Sequence, residues 1–174
     1  MVRYAEALAN RGLDVVTFNF LYMEARRGAP DRPPKLEACF VAVIDWARKQ
    51  CQSQRFAIGG KSMGGRIASM VQAKAPSADA LVFLGYPLHP PKQPDKLRAA
   101  HLSDIHVPML FVQGERDPFG SREELEPILA KLPIARLHVV PSGDHSLSVP
   151  KRVRAQAEVD AELQDRIARF IVDR

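Results

Sequence analysis

The sequence predicts an α/β protein, with a mostly parallel sheet carrying helices on both faces, in a single domain over residues 1–174. Three observations predict it. Strand-like and helix-like segments alternate along the chain. The strand-like segments are largely apolar instead of alternating apolar with polar, as expected of strands covered on both faces. A composition of 46% hydrophobic and 26% charged residues over 174 positions suits one globular unit with a real core. It also excludes a disordered or fibrous chain, and no internal repeat or low-complexity linker divides the sequence.

Taken in order, residues 1–11 read as a helix with Leu8 and Ala9 inward and Gly12 as its stop. Val15 to Phe20 is β-branched and aromatic and reads as a strand. After the Pro30–Pro34 loop, Leu36, Phe40, Val43, Ile44, Ala47 and Cys51 recur at helical spacing. Arg55 to Ile58 is a short strand ended by Gly59-Gly60, and Met63 to about Ala75 is a helix stopped at Pro76. Ala80 to Leu84 is the next strand. Residues 85–106 are irregular, with four prolines and a short helix near 95–102. Val107 to Gln113 is a strand, Ser121 to Leu132 a helix, and Ala135 to Val140 a strand. The last helix points Val159, Leu163, Ile167 and Ile171 inward.

Charge excludes some functions. The formal charge is +5, but 25 Lys and Arg are interspersed with 20 Asp and Glu. The densest basic run, Lys151-Arg152-Val153-Arg154, reads as a solvated helix start, and without clustering or interleaved aromatics it argues against a nucleic-acid partner. Cys39 and Cys51 lie on one predicted helix about 18 Å apart, beyond disulfide reach, as suits a reducing compartment. No apolar run approaches the roughly 18 residues of a membrane span, and Met1 to Glu6 lacks a signal peptide's apolar stretch, so a cytoplasmic setting without membrane attachment is expected.

Gly60-Lys61-Ser62-Met63-Gly64 matches G-x-S-x-G between a predicted strand and a predicted helix. This is the context of a nucleophile elbow, where a turn too tight for flanking side chains raises a serine above the sheet edge. Gly60-Lys61-Ser62 also mimics the end of a phosphate-binding loop, but that motif needs glycine at 55, where Arg55 stands. A serine hydroxyl needs a base, and the base an orienting acid. Asp117 falls just after the 107–113 strand. It could instead cap the next helix, but Ser121-Arg122-Glu123-Glu124 is a capping box of its own. Asp144 is the fallback acid, with a side chain expected to point away. His145 follows the final strand, and Gly143 lets its loop fold back toward the elbow. His138 lies within a strand, while His89, His101 and His106 sit in the irregular segment, and no cluster has metal-ligand spacing. The candidate catalytic residues are therefore Ser62, Asp117 and His145.

With these three in that order, the chain resembles the α/β-hydrolase superfamily over essentially its whole length. It is most similar to the dienelactone-hydrolase-like branch, among proteins resembling the testis-expressed hydrolase-like family and the hydrolase-like subunit of the non-specific-lethal chromatin complex. The residues that carry this are Gly60-Lys61-Ser62-Met63-Gly64-Gly65-Arg66, Leu84 to Pro91, and Phe111 to Asp117. Dienelactone hydrolases have a cysteine nucleophile, and Ser62 stands here, so that substrate is not implied. In the superfamily a strand ending in a His-Gly-type turn lies between the 15–20 and 55–58 strands and donates an oxyanion-hole amide. Here the chain opens in a helix, so the resemblance implies an α/β-hydrolase fold lacking its N-terminal strands. Either the flanking strands pair directly or the chain is the tail of a longer protein, and the second is favoured. The backbone N–H of Met63 is then the one oxyanion donor that can be named. Losing its companion would cost about 2.7–4 kcal/mol of transition-state stabilisation.

The implied activity is hydrolysis of a small ester or thioester through a Ser-His-Asp triad, with no metal or organic cofactor and a small acyl compound as partner. Residues 85–106 are the candidate lid, and Tyr86 and Leu88 would line the substrate site. The rival reading is a catalytically impaired, hydrolase-like scaffold acting through protein–protein contacts.

Overall fold

The computed structural model describes residues 2–51, 53 and 55–173. Helices α1 (Val2–Ala9), α2 (Leu21–Glu24) and α3 (Pro33–Gln50) precede the first strand. Then β1 (Ala57–Lys61), α4 (Met63–Lys74), β2 (Ala80–Leu84), a 3₁₀ turn (Ala100–Asp104), β3 (Met109–Gly114), α5 (Arg122–Leu129), β4 (Ala135–Val140) and α6 (Gln156–Val172) follow. The strands form one sheet in the order β1-β2-β3-β4, and every pairing is parallel. Parallel neighbours need crossovers. These are α4, the 85–108 segment and α5.

Both faces are covered, because successive strand side chains point to opposite sides. Leu81 and Phe83 of β2 join Ile58 and Phe111 against Phe40, Ile67 and Leu125 of the α3, α4 and α5 helices. Ala80, Val82 and Leu84 instead meet Leu110 and Val112 beneath Val159, Leu163 and Ile167 of α6, with Leu8 of α1 at the margin. Two layers of helix buried on one sheet explain the uninterrupted apolar runs. Among the described residues, no helix is long and apolar enough to cross a membrane.

Several expectations need correction. Val15 to Phe20 forms no strand, and the backbone of residues 14–19 makes no hydrogen bond among the described residues. A strand is defined by its ladder, and this stretch has no neighbour. A cleft of about 320 Å³ separates it from the outer edge of β1, which pairs with no strand among the described residues. Its apolarity serves packing instead: Phe18 meets Phe20 and Phe40 edge-on at 5.4 and 5.2 Å. The four-residue helix α2 directly after it was not foreseen.

In α1, Ala9 is exposed and only Leu8 of the expected pair packs inward; Met1 lies outside the described residues. The strand expected at 55–58 starts at Ala57 and runs through both glycines to Lys61, since Gly59 and Gly60 pair with Val82 and Phe83. The short helix expected near 95–102 is a 3₁₀ turn displaced to Ala100–Asp104, and α5 ends at Leu129 instead of Leu132. The 151–154 run precedes α6 as turns, with Arg154 reaching Glu158 and Glu162 at 3.3 and 2.6 Å.

Candidate active site

Three loops at the carboxyl ends of β1, β3 and β4 build the site. Ser62 follows β1 with φ 51° and ψ −120°, a conformation that a side-chain-bearing residue adopts only under constraint. The constraint is visible on both sides. The Ser62 N–H donates to Leu84 O at 2.9 Å, and its carbonyl accepts from Arg66 N as α4 begins. Gly60, with φ +156°, lies so close to α4 that a Cβ there would sit 3.0 Å from the Gly64 carbonyl carbon. The crowding falls on Gly60 and Gly65, whose Cβ would sit 2.7 Å from Gly60 O, because the helix starts directly above the strand, whereas a Cβ at Gly64 would meet nothing within 4 Å.

Asp117 lies three residues past β3 and is 3% exposed, so its carboxylate depends on the donors around it. Oδ1 accepts from Phe119 N at 2.9 Å, and Oδ2 accepts from Gln113 Nε2 and from His145 Nδ1, each at 2.8 Å. On the other side of the imidazole ring, Nε2 lies 2.8 Å from Ser62 Oγ. Three residues spread over 83 positions of sequence thus form one continuous chain of hydrogen bonds. Asp144 is turned away, as expected of the fallback, and caps its own loop by accepting from Ser146 N and Ser148 N.

His145 is held by packing as well as by hydrogen bonds. The Phe119 ring lies against it, centroids 4.2 Å apart. Gly85, at φ +65°, brings the end of β2 so close that a Cβ would sit 2.7 Å from His145 O. The Lys61 ammonium donates to Ser146 Oγ at 3.1 Å, tying the elbow to the same loop.

The amide of Met63 opens α4 beside Ser62 and has no acceptor among the described residues, as first-turn amides of a helix generally do not. It is therefore free to donate to an oxygen held over the serine.

Sequence reasoning missed Gln113. It stands one residue before the end of the otherwise apolar β3, is fully buried, and accepts from Tyr86 N at 2.8 Å while donating to Asp117 Oδ2 and Gly120 O at 2.8 Å. The signal was available: a polar residue that closes a buried strand beside an acid has to bond something. Phe119 and Gly85 carried no comparable cue.

Tyr86 and Leu88, expected to line a substrate site, do not face it. They are 1% and 0% exposed, with Tyr86 edge-on to Phe83 and Phe111. The Tyr86 hydroxyl donates to Arg98 O at 2.9 Å, and burial pushes the phenol up to about 12 against the opposing pull of Ser69, Arg66 and Arg98. The 85–106 segment packs down on the core through these residues. His89 is buried as well, with Nε2 3.1 Å from Glu124, the residue that completes the α5 capping box with Ser121. Burial, aided by Arg66, holds His101 below the usual imidazole value, and its Nε2 lies 2.7 Å from Ser69 Oγ. Burial likewise lowers His138 on β4.

Comparison with known proteins bears on the family and the fold. A family model described as an alpha/beta hydrolase domain matches residues 1–172. Among solved structures, an α/β serine hydrolase homologue from Coxiella burnetii is similar with a TM-score of 0.73 and 19% identity, covering 98% of this chain and 75% of that one. An α/β serine hydrolase without a lid from Xanthomonas campestris gives 0.71 at 22% identity, with 98% and 73% covered. An esterase from Pyrococcus furiosus gives 0.74 at 18% identity, with 97% and 73% covered. At such identities the likeness is one of fold.

Proposed function

The chain belongs to the alpha/beta hydrolase domain family, and on that premise we propose that it is a serine hydrolase cleaving small esters or thioesters through Ser62, His145 and Asp117. The observation that carries this reading is the unbroken hydrogen-bonded relay from Ser62 Oγ through both ring nitrogens of His145 to buried Asp117. A general base must lie within hydrogen-bond reach of the proton it removes, and His145 Nε2 does.

His145 Nε2 takes the hydroxyl proton as Ser62 Oγ bonds to the substrate carbonyl carbon. The carbonyl electron pair moves onto oxygen, where the Met63 N–H donates to it. Asp117 keeps the Nδ1 proton in place and stabilises the imidazolium. As the oxyanion collapses, the bond to the alcohol or thiol breaks and the leaving group takes the proton from His145 Nε2, leaving acyl-Ser62. Water attacks that ester with His145 again as base, and its collapse releases the acid and returns the proton to Ser62. The substrates proposed are esters or thioesters of short or extended acyl groups. The esterase named among the structural neighbours is in line with ester chemistry, and the motifs at 60–66, 84–91 and 111–117 favour the dienelactone-hydrolase-like branch.

A fluorophosphonate probe tests the reading. It is expected to label the folded wild type and not Ser62→Ala, together with hydrolysis of a p-nitrophenyl ester that Ser62→Ala lacks. Failure of a well-folded wild type to label would overturn it. That result would favour the second reading, a non-catalytic, hydrolase-like scaffold acting through protein–protein contacts.

A further inference from the structure

Phe119 touches both the acid and the base. Its backbone N–H donates to Asp117 Oδ1 at 2.9 Å. Its half-buried ring lies against the imidazole of His145, with centroids 4.2 Å apart and planes inclined by 33°, so the two rings meet nearer face to face than edge to face. The Phe119 carbonyl accepts from His89 N at 3.1 Å, which anchors the residue on its other side.

Both ring nitrogens of His145 are taken, Nδ1 by Asp117 and Nε2 by Ser62, so its faces are where the protein can still act on its charge. The charged groups tied to this loop are engaged elsewhere. Lys61 donates to Ser146 Oγ and Arg116 to Ser142 O, while Glu115 accepts from Ser142 N and Asp144 accepts from Ser146 N and Ser148 N. From β2, Gly85 brings only backbone to the ring, where a Cβ would lie 3.3 Å from Nδ1. Among the described residues, Phe119 is the one aromatic side chain in contact with the imidazole.

An aromatic face is electron-rich, and it attracts a cation held within about 6 Å of its centroid. His145 is neutral while Ser62 keeps its proton and becomes an imidazolium as Ser62 attacks. A contact that strengthens as this charge forms lowers the barrier, whereas a contact of constant strength does not.

We propose that Phe119 is a positioning residue whose ring face stabilises the imidazolium of His145 as Ser62 gives up its proton, while its amide holds the acid that orients the same imidazole. This rests on the serine-hydrolase reading and adds a residue to its machinery. The bond-making steps stay with Ser62 and His145.

The experiment replaces Phe119 with mono-, di- and pentafluorinated phenylalanine by amber suppression. Fluorine draws electron density from the ring face with little change in ring size, so packing is kept while the attraction for a cation fades. In fluorophosphonate labelling Ser62 Oγ bonds to phosphorus, its proton passes to His145 Nε2 and fluoride leaves, so the same imidazolium forms. The labelling rate is expected to fall stepwise along the series, by about three- to tenfold at pentafluorophenylalanine. For a p-nitrophenyl ester, kcat is expected to fall in parallel at nearly constant KM. Phe119→Leu, which fills space without a π face, is expected to label no faster than the pentafluorinated variant, and Phe119→Tyr to stay near the wild type. Thermal unfolding checks that each variant is folded. A flat series in folded variants, or a loss confined to KM, would overturn the proposal and leave the hydrolase reading standing. A folded wild type that does not label would overturn the hydrolase reading and the role of Phe119 with it.

Discussion

Replacing Gln113 with leucine removes a buried clamp while keeping its volume. The side chain is fully buried and bonds four groups: it accepts from Tyr86 N and donates to Tyr86 O, Asp117 Oδ2 and Gly120 O. Leucine offers none of these. The Tyr86 amide is left without an acceptor, at about 1–3 kcal/mol, and the Asp117 carboxylate loses a charge-assisted donor of comparable worth. Gly120 O adds a smaller share, and the extra apolar contact of leucine returns part of the loss. The net expectation is a destabilisation of about 3–5 kcal/mol, which lowers Tm by roughly 10 °C in a chain of this size. The variant also separates positioning from stability. Asp117 keeps its bond from Phe119 N, so the acid remains but loosens, and fluorophosphonate labelling well below Tm should slow by about tenfold. Thermal unfolding by circular dichroism and a labelling time course measure the two effects. A loss under about 1 kcal/mol together with an unchanged labelling rate would refute the view that Gln113 holds the acid in place.

Other perturbations act on the same frame. Asp117→Asn leaves the fold intact but presents the wrong partner to His145 Nδ1, and p-nitrophenyl ester turnover should fall about 10⁴-fold. Gly85→Ala forces a Cβ against His145 O at a left-handed φ, so slower labelling and a loss of about 1–2 kcal/mol in a denaturant melt are expected. Tyr86 has a folded value raised from 10.0 to about 12, so the unfolded chain gives up its proton first. Its contribution is full below pH 10 and disappears as pH rises toward 12, at up to about 2.7 kcal/mol for a two-unit shift. Denaturant melts at pH 9 and 11.5 should show a smaller alkaline loss for Tyr86→Phe than for wild type. Tyr4, also raised to about 12 by burial and by the charge of Asp160, contributes to the loss that remains.

The fold was legible where a segment's own residues decide its state. β2 and β4 carry the limits expected for them: β2 is an apolar run, and β4, despite Arg136 and His138, is bounded by turn residues and ends in Val139-Val140. The 15–20 segment was misread because β-propensity reports a side chain's fit to a pleated surface and says nothing of whether a neighbour exists. The glycines of β1 were taken for a stop for a similar reason: their place in the ladder depends on how closely Val82 and Phe83 approach. At the site, order along the chain pointed to Ser62, Asp117 and His145, whose roles follow a known logic. Tyr86 and Leu88 were misassigned because apolar residues after a strand fit a core as well as a pocket, and only burial decides. Gln113 differs from them in being a polar residue in an enclosed place, where the question of a partner can be put before any coordinates exist.

Ser62 belongs to the first strand connection of the sheet and His145 to the loop after its last strand, so their contact closes a span of 83 residues. No partly assembled sheet can contain it, since β2 and β3 stand between and β4 must dock before the imidazole arrives. Contacts so distant in sequence form late in folding. In refolding from denaturant, probe reactivity should therefore trail helical circular dichroism, making the serine a clock for completion of the native topology.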